Sequence, residues 1–248
     1  MTIFEWKYRL ARPFLGALAF QVHRKLKRLV STLPNRPKIL DVGGRKSPST
    51  IGIPANIIIS DLPRESDIQK NLNLGINDSI VRQTLQRRSN IEDMVYDDMT
   101  CSNLEDASFD GVLSVEVLEH VEEDEAFVSN VARVLKPGGF FLMTTPNGDY
   151  VANTNPDHKR HYLRQQLFDL LTRHFDDVQV EYAVKGSAWR KRSLKPLKLK
   201  KPIRTLLSMT GSVMNIFESS NDALRVQPKG THHLVALARK NQARKDSV

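Results

Sequence analysis

Five apolar runs in the middle of this chain each stop at a glycine or a polar residue, and their order constrains the fold more than any other feature. Lys38-Ile-Leu-Asp-Val-Gly-Gly44 comes first and Asn56-Ile-Ile-Ile-Ser-Asp61 second. A third run ends at Tyr96-Asp-Asp98. Ser108-Phe-Asp-Gly-Val-Leu-Ser-Val-Glu-Val-Leu-Glu-His120 and Leu135-Lys-Pro-Gly-Gly-Phe-Phe-Leu-Met-Thr-Thr-Pro-Asn147 complete the series. Strands are expected at 38–42, 56–60, 91–96, 110–115, 138–144, 177–183 and 232–238. Helical spacing falls at 66–73, 76–87, 122–135 and 162–174. Such alternation predicts an α/β chain, a parallel sheet covered by helices on both faces. Ligands of these sheets bind beyond the carboxyl ends of the strands, so the residues that stop the runs are the first candidates for a site.

Charge divides the chain into parts. The net charge is +9 over 248 residues, but residues 1–36 carry eight Lys/Arg against Glu5 alone, and residues 185–204 carry nine with no acid. Residues 37–184 instead hold 24 acids against 14 bases. An acidic central domain with two basic attachments suggests an anionic partner, membrane or nucleic acid. The expected organisation is a basic helical extension at 1–36, a domain at 37–240 with a basic amphipathic insertion at about 185–228, and a tail at 241–248.

The extension shows helical spacing over 14–30, with Leu15, Leu18, Val22, Leu26 and Leu29 on one face. Packing beside the first strand and lying in a membrane interface both suit this pattern. In the insertion, Ile203, Leu206, Leu207, Thr210, Met214 and Phe217 form a second stripe, mostly apolar. No run reaches the roughly 18 apolar residues of a membrane span. A cytoplasmic chain, peripheral at a membrane, is therefore expected. The single cysteine, Cys101, excludes an internal disulfide and reads as a small buried filler.

Asp41 and Gly43 lie at the first strand end, where a glycine lets backbone approach a ligand. Asp61 follows twenty residues after Asp41, an offset suited to a carboxylate that accepts from both hydroxyls of a ribose. Asp98, at the third strand end, has the position of an acceptor for an exocyclic amine. Scattered histidines without Cys/His ligand spacing give no metal motif, and none is expected.

These pieces together resemble a class I S-adenosylmethionine-dependent methyltransferase, closest to the small-molecule branch that includes quinone-type enzymes. The resemblance rests on Ile39-Leu-Asp-Val-Gly43, Asp106-Ala-Ser-Phe-Asp-Gly-Val112, Val117-Leu-Glu-His-Val121 and Leu135-Lys-Pro-Gly-Gly139, and covers roughly 37–184 and 230–240. It implies a Rossmann-like, doubly wound seven-stranded sheet, mostly parallel with an antiparallel last strand, and S-adenosylmethionine as cofactor. It further implies that Asp41, Gly43 and Gly44 face the methionine part and that Asp61 binds the ribose. By the same resemblance Asp98 and Met99 adjoin adenine, and Ser114 and Glu116 face the cofactor and acceptor. His120, of the Leu-Glu-His element, is the first candidate base, followed by His161 and His158. One departure stands out: Gly43-Gly44 runs into Arg45-Lys46 where the family has a further glycine. Arg45 or Lys46 pairs with the cofactor carboxylate, or both face solvent.

Methyl transfer from a sulfonium requires chiefly alignment of the acceptor, and a base only when the acceptor is a hydroxyl or an acidic carbon. The expected reaction is transfer to oxygen or carbon of a small or lipid-linked acceptor. Its pocket walls would come from the N-terminal helix, residues 145–162 and the insertion. Two rival readings are an RNA methyltransferase, disfavoured by the lack of interleaved aromatics, and a non-catalytic basic scaffold on the same fold. A nicotinamide enzyme is disfavoured because the dinucleotide fingerprint is incomplete.

Overall fold

The structure, a computed structural model, describes residues 1–64, 75–194 and 202–241. Seven strands form one sheet in the order β3-β2-β1-β4-β5-β7-β6. They are β1 (Lys38–Val42), β2 (Asn56–Asp61), β3 (Ile91–Tyr96), β4 (Phe109–Val115), β5 (Leu135–Pro146), β6 (Asp177–Lys185) and β7 (Thr231–Arg239). All neighbours pair in parallel except β7, which runs antiparallel to both β5 and β6. All seven expected strands form. Strand order reverses between β1 and β4, where Val42 is in register with Ser114. The carboxyl ends of these two strands therefore flank the crevice of the sheet.

Side-chain alternation along the strands builds two cores. Ile39, Ile57, Ile59 and Leu113 face one side with Val22, Leu26 and Leu29 of α2 (Ala17–Ser31). Leu40, Val112 and Phe141 face the other side. There they meet Phe127, Val128 and Val131 of α4 (Asp124–Val134), and Leu167 and Leu171 of α5 (Arg164–Thr172). Each fully buried aliphatic side chain contributes about 1.5–3 kcal/mol. The apolar face of α2 is thus spent on the sheet, and its basic face points outward, with Lys25 Nζ 3.1 Å from Glu181.

Several boundaries move for local reasons. Gly16, at φ 95°, sets the start of α2 at Ala17, later than the spacing from 14 implied. The Asn77 side chain accepts from Ile80 N–H and starts α3 (Asp78–Arg87) two residues late. Strand β5 begins at Leu135, with an irregularity against β4 where Lys136-Pro-Gly-Gly139 joins the sheet. Helix α1 (Ile3–Ala11) falls within the helical extension expected at 1–36, ahead of the spacing read from 14. It is fixed by a capping box in which Thr2 and Glu5 exchange side chain to backbone hydrogen bonds. The helical spacing at 66–73 lies outside the described residues. The expectation for Cys101 is corrected: it is exposed, in the turn after β3 where its N–H donates to Asp98 O. A turn that leads away from the sheet leaves no core for the thiol to fill.

Between β6 and β7 the chain leaves the sheet. Residues Ala188–Ser193 form α6 and Pro202–Glu218 form α7, with a short 3-10 turn at Asp222–Val226. Lys195 to Lys201 of the basic run lie outside the described residues. Helix α7 packs on α6 and on the segment before α2, where Ser212 Oγ donates to Phe14 O.

Candidate functional site

A cavity of about 1080 Å³ opens at the strand tips. Gly43, Arg45, Lys46, Asp61, Val115, Glu116, Val117 and His120 line it from the sheet side. The opposing wall comes from Leu15–Ala19, from Pro156, Asp157 and Lys159, and from Arg190, Ser193, Leu194 and Asn215. The three segments expected as pocket walls all contribute.

The glycine turn is built around a carboxylate. Asp41 is fully buried; its Oδ2 accepts from Thr50 Oγ1 at 2.7 Å, and Thr50 in turn accepts from Arg88. Burial pushes its carboxyl up to about 6, against the lowering effect of Thr50 and Arg88. Gly44 sits directly on this group, since a Cβ there would lie 2.1 Å from Asp41 Cγ. Asp41 and Gly44 therefore lie behind the cavity and shape the turn. Gly43 is at the lining itself with φ 66°, its N–H held by Ser60 O at 2.8 Å, and an added Cβ would lie 2.8 Å from Val117 Cγ2. Only glycine meets both demands.

Asp61 lines the cavity and accepts from Leu62 N–H at 2.9 Å. Burial raises its pKa, more than the charges of Arg45, Lys46 and Arg64 lower it. A carboxylate desolvated at a cavity wall is suited to accepting hydroxyl hydrogen bonds. Arg45 and Lys46 line the cavity beside it. Asp98 is exposed and is turned to Thr100, from which it accepts both N–H and Oγ1 bonds, while Met99 is buried in the core. Neither lines the cavity, nor does Ser114, whose buried Oγ has no partner among the described residues.

Like Val184 of the cavity wall at φ 60°, Glu116 is strained, at φ 55° just beyond β4, in a region that disfavours side chains with a Cβ. Its Oε1 accepts from Thr144 Oγ1 at 2.8 Å and its Oε2 lies 3.2 Å from His233 Nδ1. Burial raises its pKa, but His233, Thr144 and His158 together outweigh that and hold the carboxyl below its usual range.

Beside it lies a histidine cluster. His120 lines the cavity, its Nδ1 3.0 Å from Asp157 O and its ring edge-on to His158 at 4.6 Å. His158 Nδ1 is 2.8 Å from His161 Nε2, and His161 Nδ1 is 2.9 Å from Val151 O. Carbonyls only accept, so in the neutral rings Nδ1 of His120 and of His161 carries the proton. His161 Nε2 then accepts from His158. Both His120 and His158 keep an unprotonated Nε2. His161 does not line the cavity; it orients His158. Sequence reasoning did not find Glu119, buried under this cluster and bonded by Thr145 Oγ1 at 3.2 Å. Ligand atoms of Glu119, His120 and His158 lie within 4.8 Å of one another, a set that can hold a divalent cation.

Burial, reinforced by Glu116, pushes the Glu119 carboxyl up to about 8. A folded pKa above that of the unfolded chain means that stability falls as pH rises between roughly 4.5 and 8, where only the unfolded form has lost its proton. Glu119→Gln removes this slope. Denaturant titrations at pH 5 and 8 should show wild type losing at least about 2 kcal/mol more than the variant.

Comparison with known proteins places these features. The family model described as a methyltransferase domain matches residues 72–143. A probable S-adenosylmethionine-dependent methyltransferase of Mycolicibacterium smegmatis is 41% identical over 73 residues, 27% of this chain and 28% of that protein. Over these stretches the chain is similar to S-adenosylmethionine-dependent methyltransferases. A ubiquinone biosynthesis O-methyltransferase of Xanthomonas oryzae pv. oryzae is 30% identical over 140 residues, 50% of this chain and 54% of that protein. The chain thus matches about half or less of the length of these relatives. In fold, it is similar to the crystal structure of an S-adenosylmethionine-dependent methyltransferase from Archaeoglobus fulgidus (TM-score 0.56, 17% identity, covering 95% of this chain and 100% of that one). The domain match begins beyond β1 and the glycine turn, the segment where Arg45-Lys46 departs from the family pattern. The turn nevertheless keeps a positive-φ glycine at the cavity.

Proposed function

We propose that this chain binds S-adenosylmethionine at the strand tips and transfers its methyl group to oxygen or carbon of a small or lipid-linked acceptor, at an anionic membrane surface. The observation that carries this reading is one continuous cavity lined by Gly43, Asp61, Glu116 and His120. The glycine that a Cβ would block and the desolvated Asp61 carboxylate fit a polar nucleoside. When bound, that cofactor supplies a methyl group already activated on a sulfonium. The chain's own residues then have three tasks. The Gly43 turn and Asp61 hold the nucleoside. The wall from α6 and α7 excludes water. His120 Nε2 takes a proton from an acceptor hydroxyl while Asp157 O fixes the ring. The name of the Xanthomonas relative, an O-methyltransferase of ubiquinone biosynthesis, supports a small acceptor methylated at oxygen. Calorimetry with S-adenosylhomocysteine tests the reading: micromolar binding is expected, and a chain that does not bind it is a scaffold.

The membrane part rests on α7. Ile203 and Phe217 are more than three-quarters exposed, and Leu206, Leu207 and Met214 join them on the outer face of the helix. Ile3, Trp6 and Leu10 of α1 are likewise exposed. Among the described residues, no helix is long and apolar enough to cross a membrane. An exposed apolar stripe beside Lys185, Lys191, Arg192 and Arg204 suits anionic headgroups. Co-sedimentation with anionic vesicles is expected at low salt, weakened by 0.5 M salt because exposed charges are then screened. Ile203→Asp with Phe217→Asp should abolish it. Sedimentation of the double variant equal to wild type would remove α7 from the interface.

A further inference from the structure

Arg190 is the cavity residue that neither the fold nor methyl transfer explains. It sits on α6 with its side chain at the cavity wall, facing the side that carries Glu116. Other inward arginines of this chain are spoken for. Arg88 donates to Thr50 Oγ1 at 2.7 Å, Arg12 to Ile51 O at 2.8 Å, and Arg160 to Asp124 and to Glu122 O. Lys159, on the same wall, lies 3.1 Å from Glu122. Arg190 alone among these has no protein acceptor for its guanidinium among the described residues. A half-buried guanidinium has five donors to satisfy, and leaving them without acceptors is unfavourable.

The backbone beneath it is fixed. Ser187 caps α6 by accepting from Arg190 N–H, and it also donates to Glu218 Oε2 at 2.6 Å. Arg190 O receives Leu194 N–H and Ser193 Oγ. Gly211 of α7 lets the two helices touch: a Cβ there would lie 2.9 Å from Arg192 Cβ and 3.0 Å from both Ser193 N and Trp189 O. Arg192 stacks on Trp189 in the same helix, 4.7 Å from the ring. The insertion therefore presents one rigidly based guanidinium to the cavity.

We propose that the acceptor carries an oxyanion, a phosphate ester or a carboxylate, and that Arg190 binds it. A planar guanidinium with free donors pairs with such a group through two parallel hydrogen bonds. This rests on the acceptor cavity of the preceding section and specifies its substrate class. Arg190 is a specificity residue, remote from Gly43 and Asp61 in the chain and carried by the insertion.

The test uses the full chain, first saturated with S-adenosylhomocysteine and then titrated with inorganic phosphate, phenyl phosphate, benzoate and a monomeric short-chain phosphatidic acid. At least one probe should bind wild type. Arg190→Gln should weaken that probe about tenfold or more, and Arg190→Lys should recover part of the loss. S-adenosylhomocysteine affinity should stay within about twofold in both variants. The probe bound most tightly separates phosphate from carboxylate and a free ester from a lipid headgroup. Binding of every probe unchanged in Arg190→Gln, or no probe binding to wild type, overturns the proposal. If S-adenosylhomocysteine itself fails to bind, the methyltransferase reading falls, and the same titrations of the free chain still decide the role of Arg190.

Discussion

His120→Ala is expected to lower kcat for methyl transfer by about 10²–10⁴-fold, the range for loss of a positioned base, with KM for S-adenosylmethionine unchanged. The expectation follows from tautomer geometry. Asp157 O takes the Nδ1 proton of His120 at 3.0 Å, so the cavity-facing ring keeps a basic Nε2. His158 does not substitute, because His161 orients it from behind and the two rings meet edge to face. Steady-state kinetics with a labelled methyl donor would measure it. A kcat within threefold of wild type would assign the acceptor to a class that needs no base and leave His120 a structural role.

The second large effect concerns Asp61. Asp61→Ala should weaken S-adenosylhomocysteine binding about 100-fold, equivalent to two hydrogen bonds to a charged group at roughly 1.5 kcal/mol each. Thermal stability of the free chain should not fall, because burial already disfavours the ionised carboxylate. That combination separates loss of a ligand contact from misfolding. Asp41→Ala gives the opposite pattern. Its carboxylate is fully buried, bonded to Thr50 and covered by Gly44, so its removal unfastens the turn and lowers stability as well as affinity.

The sheet was legible because its strands are continuous apolar runs ended by turn chemistry, and a buried parallel strand has little other way to be written. Gly43, Asp61 and Glu116 were legible as cavity-lining residues for the same reason, since they end or directly follow β1, β2 and β4, and His120 lies in the short turn beyond β4. Helix α1 was read only as part of a helical extension, although Thr2 and Glu5 have capping-box spacing; that its Ile3, Trp6 and Leu10 face outward is set by the fold. Asp98 illustrates a different limit. Two adjacent acids end β3; Asp98 turns outward to Thr100, while Asp97 has a buried Oδ2 without a partner among the described residues. Counting along a sequence does not separate neighbours whose directions are set by the turn. Glu119 stands inside the Leu-Glu-His element, but its burial and its contact with Thr145 come from the fold; Arg190 depends on a segment distant in sequence folding onto the site, and no local pattern announces it.

The pairing of β6 with β7 bears on how such an enzyme changes its taste in acceptors. Lys185 and Thr231 are register partners, and Gly186 N–H donates to Gly230 O, so everything between them departs from and returns to a single rung of the ladder. A segment with coincident ends works as an exchangeable cartridge. It can lengthen, shorten or swap its chemistry, Arg190 included, while the glycine turn and Asp61 at the far strand tips keep their geometry.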